Sequence, residues 1–519
     1  MTKKIIYPSG STAKLSRRRF IHSCTACSAC MVVLPLMTMN ACSEREKLRL
    51  RLIYSLHDVV QPGPDWPNVG YDFGPVMERF NASLSSHCPE FELIPTLASG
   101  PEDAEKILRE DKDSDIRGYI VFQMNCWNRV VQTIAESAKP VLYVDFKYAG
   151  SGGFLVYTAG FLKEETENVG FVSSSDMNDL VRAVKQFNII RKGGTASEFV
   201  AATKRARMKG TPEFGDIPFA EDNLATLSPD DCLKRMSSSK ILAFKDEHSK
   251  AVEPIMNIPM EYVSFSVLNE AWKDADRSKS RDIAERWQST AFKVEDVSFE
   301  ELENSAAMYL GMKDVLRKYD ANAITVNCLG GFYGGHIHAY PCLGFHELNN
   351  EGLVGACECD IRSTATMVAF TSMTRGRPGY ISDPVIDTSK RQIIYAHCVA
   401  SNKVFGPEGP ANPFSIMTHS EDRQGAAVRS MLPDGYLTTS LNINPERKEI
   451  LMHQARAVGN DPDDRACRTK LCAEPIGDME KLFTMWNDWG WHRVTFYGDL
   501  KEPAYALADA IGWKIVEEA

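Results

Sequence analysis

The chain has 519 residues, which is too long for a single hydrophobic core and predicts two or three domains. Its composition, 44% hydrophobic and 25% charged, is ordinary for a soluble globular protein. The net charge of −10 argues against a nucleic-acid partner, because a nucleic-acid-binding surface needs a basic stripe. After residue 42, no stretch approaches the ~20 apolar residues that a membrane-spanning helix needs.

Residues 1–46 predict an export signal with a lipoprotein cleavage box. The twin arginines Arg17 and Arg18 are followed by an apolar stretch that runs to Met39. The segment Met39-Asn-Ala-Cys42 is typical of a lipobox, which makes Cys42 the candidate for a lipid anchor to the membrane. We therefore expect export by the twin-arginine route to a periplasmic location.

Cysteine usage does not predict a disulfide scaffold. The chain has fourteen cysteines, of which Cys24, Cys27, Cys30 and Cys42 lie in the leader. A large domain with an adequate core does not need stapling, so we expect most of the others to be buried thiols. The close spacing of Cys467 and Cys472 leaves a disulfide between them as an alternative.

The first domain, residues 47–175, is predicted to be Rossmann-like. Apolar strand-like runs alternate here with amphipathic helical runs, and this order is typical of a parallel sheet with crossover helices. The predicted strands are Leu48–Ser55, Phe91–Leu97, Gly118–Gln123 and Pro140–Phe146, and the predicted helices are Gly74–His87, Pro101–Arg109 and Asn128–Ser137.

A second α/β domain is predicted over residues 176–320. This region is more helical and more charged, with long helical runs at Thr195–Lys209 and Ser298–Tyr319. The segments Ile241–Phe244 and Ala291–Val294 are its candidate strands.

The third domain, residues 321–519, begins with a strand, loop, helix, strand and helix. The predicted elements are a strand in Asp320–Cys328, a helix in Pro341–Gly352 closed by a glycine C-cap, a strand ending in Val354–Asp360 and a helix from Ile361 to Phe370. This order places Glu358 and Asp360 at the carboxyl end of a strand, where α/β folds bind ligands. Side chains two apart on an extended segment share a face, so the two carboxylates are predicted to share one cation or one proton.

Beyond Arg375 the sequence changes to short β-rich runs separated by Pro, Gly and Asn turns, which predicts an antiparallel module. These runs are Arg391–Val399, Phe414–His419, Tyr436–Asn442 and Glu449–Gln454. The predicted fold class is therefore α/β, with two Rossmann-like α/β domains followed by a C-terminal α+β domain that carries an antiparallel β module.

Residues 320–519 resemble the L-fucose and L-arabinose isomerase superfamily. The resemblance lies in Pro341-Cys342, Leu348–Gly352, Cys357-Glu-Cys-Asp360 and the late segment Asn487–Asp499. It implies an L-fucose isomerase-like fold, a carbohydrate substrate and a divalent metal, usually Mn²⁺. The implied enzyme class is intramolecular oxidoreductase, with aldose–ketose isomerisation through an enediol, and the family suggests a homo-oligomer.

The resemblance also implies roles for residues. Asp360 and His492 match the family's metal ligands, and Glu358 matches either a further ligand or a catalytic carboxylate. The family's first glutamate is expected between Cys328 and Pro341, but this chain has no carboxylate there.

Two histidines stand in the loop that lacks the expected glutamate. His336 and His338 are candidates to replace it as ligand or as base, since imidazole can do both. The alternative is that they are loop histidines beside a polar cleft.

Three further residues are candidate sugar contacts. His397 and His419 end or interrupt β-runs, and Trp491 belongs to a tryptophan cluster that could stack on a sugar face. Structural hydrogen bonding of the histidines and core packing of the indole are the alternatives.

The sequence therefore leaves two functional hypotheses. The first is an exported, metal-dependent carbohydrate enzyme that performs isomerisation or a related proton abstraction next to a carbonyl. The second is a non-catalytic sugar-binding lipoprotein on the same fold.

Overall fold

The computed structural model describes residues 47–246 and 250–519. Arg17, Arg18 and Cys42, on which the export and lipidation predictions rest, lie outside the described residues. Within the described ranges, no helix combines the length and the apolar composition needed to cross a membrane.

The N-terminal part is a parallel five-stranded sheet with helices in its crossovers, which confirms the predicted alternation of strands and helices. The strands are β1 (Leu48–Ser55), β2 (Phe91–Ala98), β3 (Ile116–Gln123), β4 (Val141–Asp145) and β5 (Val169–Val172). The helices are α1 (Gly74–His87), α2 (Pro101–Asp111), α3 (Val130–Ala135), α4 (Ser151–Lys163), α5 (Met177–Val184), α6 (Asn188–Arg191) and α7 (Ala196–Gly210), with a 3₁₀ turn at Lys185–Phe187.

The strand order of this sheet is β2-β1-β3-β4-β5, so the direction of winding reverses between β1 and β3. In doubly wound sheets the loops that follow the two strands at such a reversal form a ligand-binding crevice.

A second sheet follows, in the order β11-β10-β6-β8-β7. Its strands are β6 (Ile241–Asp246), β7 (Lys250–Ile255), β8 (Ile258–Ser264), β10 (Ala323–Val326) and β11 (Val354–Cys357), all parallel except β7. The associated helices are α8 (Pro229–Ser237), α9 (Phe265–Lys273), α10 (Arg277–Thr290), α11 (Phe299–Lys318), α12 (Cys328–Tyr333), α13 (Cys342–Asn350) and α14 (Ile361–Met373). Strand β6, which precedes residue 320, pairs in this sheet with β10, which follows it. The predicted domain boundaries remain predictions.

The C-terminal part confirms the predicted antiparallel module. One sheet has the order β16-β19-β12-β13-β18-β17-β20, and a further pairing of β16 with β17 closes six of these strands into a barrel. Its strands are β12 (Tyr380–Asp387), β13 (Gln392–His397), β16 (Leu437–Asn444), β17 (Glu449–Asn460), β18 (Thr469–Pro475), β19 (Arg493–Tyr497) and β20 (Lys514–Glu517).

A small three-stranded sheet lies beside the barrel. It combines β14 (Phe414–Met417) and β15 (Ala427–Ser430) with β9 (Lys293–Glu295), which comes from the middle of the chain. The remaining elements are α15 (Trp486–Trp489), α16 (Lys501–Ala510) and 3₁₀ turns at Thr388–Lys390 and Lys481–Phe483.

The backbone after β11 corrects one prediction. The strand ends at Cys357, and the next two residues are not extended: φ is +61° at Glu358 and +53° at Cys359. Asp360 is then the N-cap of α14. The alternation argument, by which the two carboxylates would share one face of a strand, is therefore wrong. Two consecutive left-handed non-glycine residues are uncommon and cluster at functional sites.

Candidate metal centre

Four side chains, two from strands and two from residues just outside strand ends, come together at the barrel's junction with the second sheet. Glu358, Asp383, His397 and His492 each offer one ligand atom, and these atoms all lie within 4.8 Å of one another. His492 Nε2 is 3.1 Å from Asp383 Oδ1 and 3.4 Å from Glu358 Oε2. His397 Nε2 is 3.7 Å from Glu358 Oε1 and 3.9 Å from Asp383 Oδ2.

Strand register brings three of the four together. The β12–β19 ladder ends at the pair Ser382 and Arg493, so Asp383 and His492 face each other at the next position beyond that pair. On its other edge β12 pairs with β13, and Asp383 lies opposite the residue that precedes His397. Three ligand candidates that are far apart in sequence are therefore fixed as neighbours by two antiparallel pairings.

Pro384 is tolerated in the interior strand β12 because the ladder with β19 ends before it. It cannot donate a ladder hydrogen bond, and on the β19 side the ladder has already ended two residues earlier, at Ser382. Its carbonyl oxygen accepts the indole N–H of Trp491 at 2.8 Å. This contact ties the residue after Asp383 to the residue before His492.

Asp360 lies behind His492 and outside the group of four. Its Oδ2 is 2.8 Å from His492 Nδ1, and the carboxylate also accepts the N–H and O–H of Ser363 at 3.1 and 2.7 Å. A carboxylate that accepts Nδ1–H holds the imidazole in one tautomer and turns the Nε2 lone pair toward a metal. The predicted pair of carboxylates thus bracket one imidazole, with Glu358 at Nε2 and Asp360 at Nδ1.

The charges of the site follow from these contacts. Burial raises the pKa of Glu358, but its hydrogen bond to His492 and the proximity of His397 outweigh this effect and lower the pKa to about 2. Burial lowers the pKa of His492, but hydrogen bonds to Asp360, Asp383 and Glu358 raise that pKa well above its usual value. His492 is therefore protonated, and its positive charge faces the same carboxylates that would bind a cation.

His397 differs from His492 in its tautomer. Its Nδ1 accepts the backbone N–H of Cys398 at 3.0 Å, so the neutral ring carries its proton on Nε2. That Nε2 is buried and has no hydrogen-bond partner among the described residues. Ligation through Nε2 requires the bond to Cys398 to be given up, whereas Glu358, Asp383 and His492 can bind a cation without such a change.

The residues fit a divalent transition metal. Two carboxylates with two imidazoles form a mixed oxygen and nitrogen donor set, which suits Mn²⁺ as well as other first-row ions. The donor set does not identify the metal.

Aromatic side chains from the N-terminal sheet lie next to this group. Trp491 is half-buried, and its ring lies 5.0 Å from that of Trp66 and 5.9 Å from that of Trp127. Trp127 is 50% exposed and has φ of +65°, in the loop after β3 at the point where the sheet reverses. The neighbouring Trp486 and Trp489 are buried in the core. Trp491 thus joins a partly open aromatic surface.

The other predicted site residues lie elsewhere. His336 and His338 are exposed; His336 stacks on Phe265 with ring centres 5.7 Å apart, and His338 lies 6.1 Å from Trp272. Neither belongs to the group of four. The structure therefore does not bring these two histidines to the ligand atoms that it assembles.

His419 is buried outside the group. Its Nδ1 lies 3.1 Å from Asp422 Oδ1, and this bond outweighs burial and raises the pKa of His419 to about 9. Cys467 and Cys472 are both free thiols, so the disulfide alternative is wrong.

Sequence reasoning missed Asp383, and it did not single out Glu421, a carboxyl outside the group of four. Asp383 lies in β12 (Tyr380–Asp387), a segment without apolar alternation whose Pro384 argues against a central strand. Glu421 lies in the β14–β15 loop, where Tyr333 donates a hydrogen bond to its Oε2 at 3.1 Å. Burial is the main cause that raises the pKa of Glu421 to about 8, and the charge of Glu358 adds to it. No local pattern singles out Glu421.

No family model matches the chain. Several similar curated proteins carry the name sulfoquinovose isomerase. The one from Priestia aryabhattai is 23% identical over 149 residues, 28% of this chain and 33% of that protein. The one from Clostridium sp. (strain MSTE9) is 23% identical over 211 residues, 39% of this chain and 46% of that protein. The one from Alkalicoccus urumqiensis is 26% identical over 149 residues.

Among solved structures, the transcription regulator CcpA of Lactococcus lactis matches 54% of this chain and 78% of that chain. The identity is 10% and the TM-score 0.16, which is too low to bear on the fold or the function. The matched segments span about a third to a half of the curated relatives' own length. Over that part, this chain is similar to proteins named as sugar isomerases.

Proposed function

We propose that the protein is a metal-dependent sugar isomerase that moves a proton between carbons next to a carbonyl. The observation that carries the proposal is the convergence of Glu358, Asp383, His397 and His492 within 4.8 Å. The partial similarity to proteins named sulfoquinovose isomerase supports the reaction class. Mn²⁺ is the metal proposed on the family resemblance, and the mixed oxygen and nitrogen donor set is compatible with it.

Glu358, Asp383 and Nε2 of His492 would hold the metal, with His397 within reach as a fourth donor. When bound, a divalent cation would polarise the carbonyl and hydroxyl oxygens of a sugar. Asp360 has a positioning role, because its bond to Nδ1 fixes the tautomer of His492.

Glu421 is the proposed proton carrier. A ligating carboxylate with a pKa near 2, such as Glu358, is a weak base, whereas a group with a pKa near the working pH transfers protons efficiently. Glu421 has a pKa of about 8 and is oriented by Tyr333. Trp127 and Trp491 would stack on the sugar.

The test combines metal analysis with a substrate panel. Protein purified without chelator or added metal is analysed for bound ions and assayed with aldoses and ketoses, sulfoquinovose included. We expect bound divalent metal, and turnover that chelation abolishes and Mn²⁺ restores.

The paired variants are Asp383→Asn and Asp314→Asn, the latter an exposed carboxylate on α11. Only the Asp383 variant is expected to lose metal affinity. The loss should exceed ~10–100-fold, which is what removal of a supporting hydrogen bond costs, because Asp383 is itself a proposed ligand. Metal binding together with sugar binding but no turnover would favour the non-catalytic sugar-binding protein instead. Unchanged metal content in the Asp383 variant would refute the centre.

We also propose twin-arginine export and lipidation at Cys42, which rest on the sequence motif alone. Replacing Arg17 and Arg18 together by lysine is expected to leave the protein in the cytoplasm. Cys42→Ala is expected to release it from membranes while export continues. Normal export of the double variant would refute the assignment. A homo-oligomer remains a prediction from the family resemblance, and sedimentation tests it.

A further inference from the structure

A buried polar network inside the C-terminal barrel begins at Glu518, which follows β20. Its carboxylate accepts a hydrogen bond from His453 Nδ1 at 2.8 Å, and His453 Nε2 lies 2.5 Å from the hydroxyl oxygen of Tyr395. His453 lies on β17 and Tyr395 on β13, with β18 between them in the sheet, so their contact crosses the barrel interior. Glu518 is therefore held inside the barrel by strands that are distant from it in sequence.

The same carboxylate binds the guanidinium group of Arg493, the residue that follows His492. Arg493 Nε lies 3.1 and 3.0 Å from the two carboxylate oxygens of Glu518, and Nη2 donates to Oε1 at 2.5 Å. Both side chains are 0% exposed, and the guanidinium lies over the ring of Trp486, 4.0 Å from the ring centre. These contacts fix the plane of the guanidinium and occupy Nε and Nη2, so Nη1 is left for other partners.

Nη1 of Arg493 binds the backbone of a proposed metal ligand. It donates to the carbonyl oxygen of His492 at 2.8 Å and to that of Gly490 at 3.0 Å. The side chain of Asn442 donates to the same His492 carbonyl at 3.0 Å, and Gly490 has a positive φ of +73° that other residues rarely adopt. The turn from Gly490 to His492 is therefore fixed around one guanidinium, and with it the direction in which the imidazole leaves the backbone.

The alternative is that the network only stabilises the barrel. Removing two charges from water costs about as much as their attraction returns, so apolar side chains of similar volume often fill a core as well as a buried ion pair does. Stability alone therefore does not account for a charged pair at this position. The two contacts of Nη1 with the turn before β19 do, because an apolar side chain could not donate to those carbonyl oxygens.

We propose that Arg493 and Glu518 are positioning residues of the metal centre, which hold the backbone of His492 so that its Nε2 meets Glu358 and Asp383. This inference rests on the metal centre of the proposed function. Its role differs from that of Asp360, which acts on Nδ1 and fixes the tautomer of the ring. Arg493 and Glu518 instead set the point from which the ring extends.

The chain offers a matched control at the other end of β19. Arg377 forms a bidentate ion pair with Asp222 at 2.6 and 2.7 Å, and its Nη1 donates to the carbonyl oxygen of Tyr497 at 3.1 Å. This pair is also largely buried and also holds a carbonyl of β19, but Tyr497 lies about 13 Å along the strand from Arg493. Asp222→Asn therefore weakens a comparable pair without touching the turn that carries His492.

The test is Mn²⁺ affinity, measured by competition with a fluorescent chelator at one neutral pH and well below the melting temperature of every variant. Glu518→Gln and Arg493→Lys are each expected to lower the affinity ~10-fold, the lower end of what loss of an outer-shell partner costs. Asp222→Asn is expected to keep the wild-type affinity, although its melting temperature falls as well.

A double variant separates positioning from stability. Arg493→Met combined with Glu518→Gln leaves neither charge buried without its partner and keeps an oxygen acceptor for His453, so we expect it to fold. It still lacks the donor to the carbonyls of Gly490 and His492. We therefore expect the same ~10-fold loss of Mn²⁺ affinity in this variant.

The visible absorption of bound Co²⁺ provides a second measurement, because it depends on the arrangement of the ligands. We expect an altered Co²⁺ spectrum in the Arg493 and Glu518 variants and the wild-type spectrum in Asp222→Asn. Wild-type Mn²⁺ affinity and Co²⁺ spectrum in the Arg493 and Glu518 variants would overturn the inference and leave the proposed function intact. An equal loss of affinity in Asp222→Asn would overturn it as well, whereas a wild-type protein that binds no metal would refute the metal centre itself.

Discussion

The Asp360→Asn variant tests whether this carboxylate orients the imidazole of His492, because it changes that hydrogen bond without removing a proposed metal ligand. In the wild type Asp360 accepts the Nδ1–H of His492 at 2.8 Å and the N–H and O–H of Ser363 at 3.1 and 2.7 Å. An asparagine that keeps its oxygen on Ser363 turns its NH₂ toward His492. It then donates to Nδ1 and moves the ring proton to Nε2, where a metal cannot bind.

The expected loss of Mn²⁺ affinity is ~10–100-fold, which corresponds to about 1.4–2.7 kcal/mol. The fold should be almost unaffected. Asparagine caps a helix about as well as aspartate, so the main loss is one negative charge at the N-terminus of α14, about 0.3–1 kcal/mol. Affinity and stability therefore respond by different amounts.

Competition with a fluorescent chelator measures affinity, and thermal unfolding followed by circular dichroism measures stability. The matched control is Asp276→Asn, because Asp276 is also an N-cap that accepts backbone N–H groups, at the start of α10. We expect the control to keep wild-type affinity with a similarly small change in stability. Wild-type Mn²⁺ affinity in the Asp360 variant would refute the role of this carboxylate as the orienting group.

Three further predictions follow from the same contacts. The pKa of His492 is raised well above its usual value and that of Glu358 is lowered to about 2, so cation binding should release one proton, from His492. The logarithm of the Mn²⁺ association constant should therefore rise by about one unit per pH unit between pH 6 and 8. A flat profile would contradict this prediction. Glu518 is fully buried against Arg493 and His453, and its pKa of about 2 lies below its unfolded value of 4.5. Its contribution of about 3 kcal/mol is therefore present above pH 4.5 and lost as pH falls toward 2, and chemical denaturation should show Glu518→Gln flattening that acid limb. Glu421→Gln should lower turnover ~10²-fold or more with unchanged Mn²⁺ content, whereas equal turnover would remove it as the proton carrier.

The sequence by itself determined the architecture and one strand end of the site. Apolar runs with period two and helical runs between them encode the first sheet, so β1 and α1 were predicted to the residue. The segment around Glu358 and the late histidine were likewise readable from local pattern. These features depend on neighbours in sequence, which is where hydrophobic periodicity carries its information.

Tertiary structure alone decided which side chains meet. Asp383 enters the site because β12 pairs with β13 on one edge and with β19 on the other, and no local pattern encodes that strand order. Asp360 faces the far nitrogen of His492 because two left-handed residues turn the chain after β11. Trp127 reaches Trp491 from another sheet. A one-residue change of register reverses the face on which a side chain lies, so the ligand set follows from pairing and from special backbone angles, which are settled only when the whole chain packs.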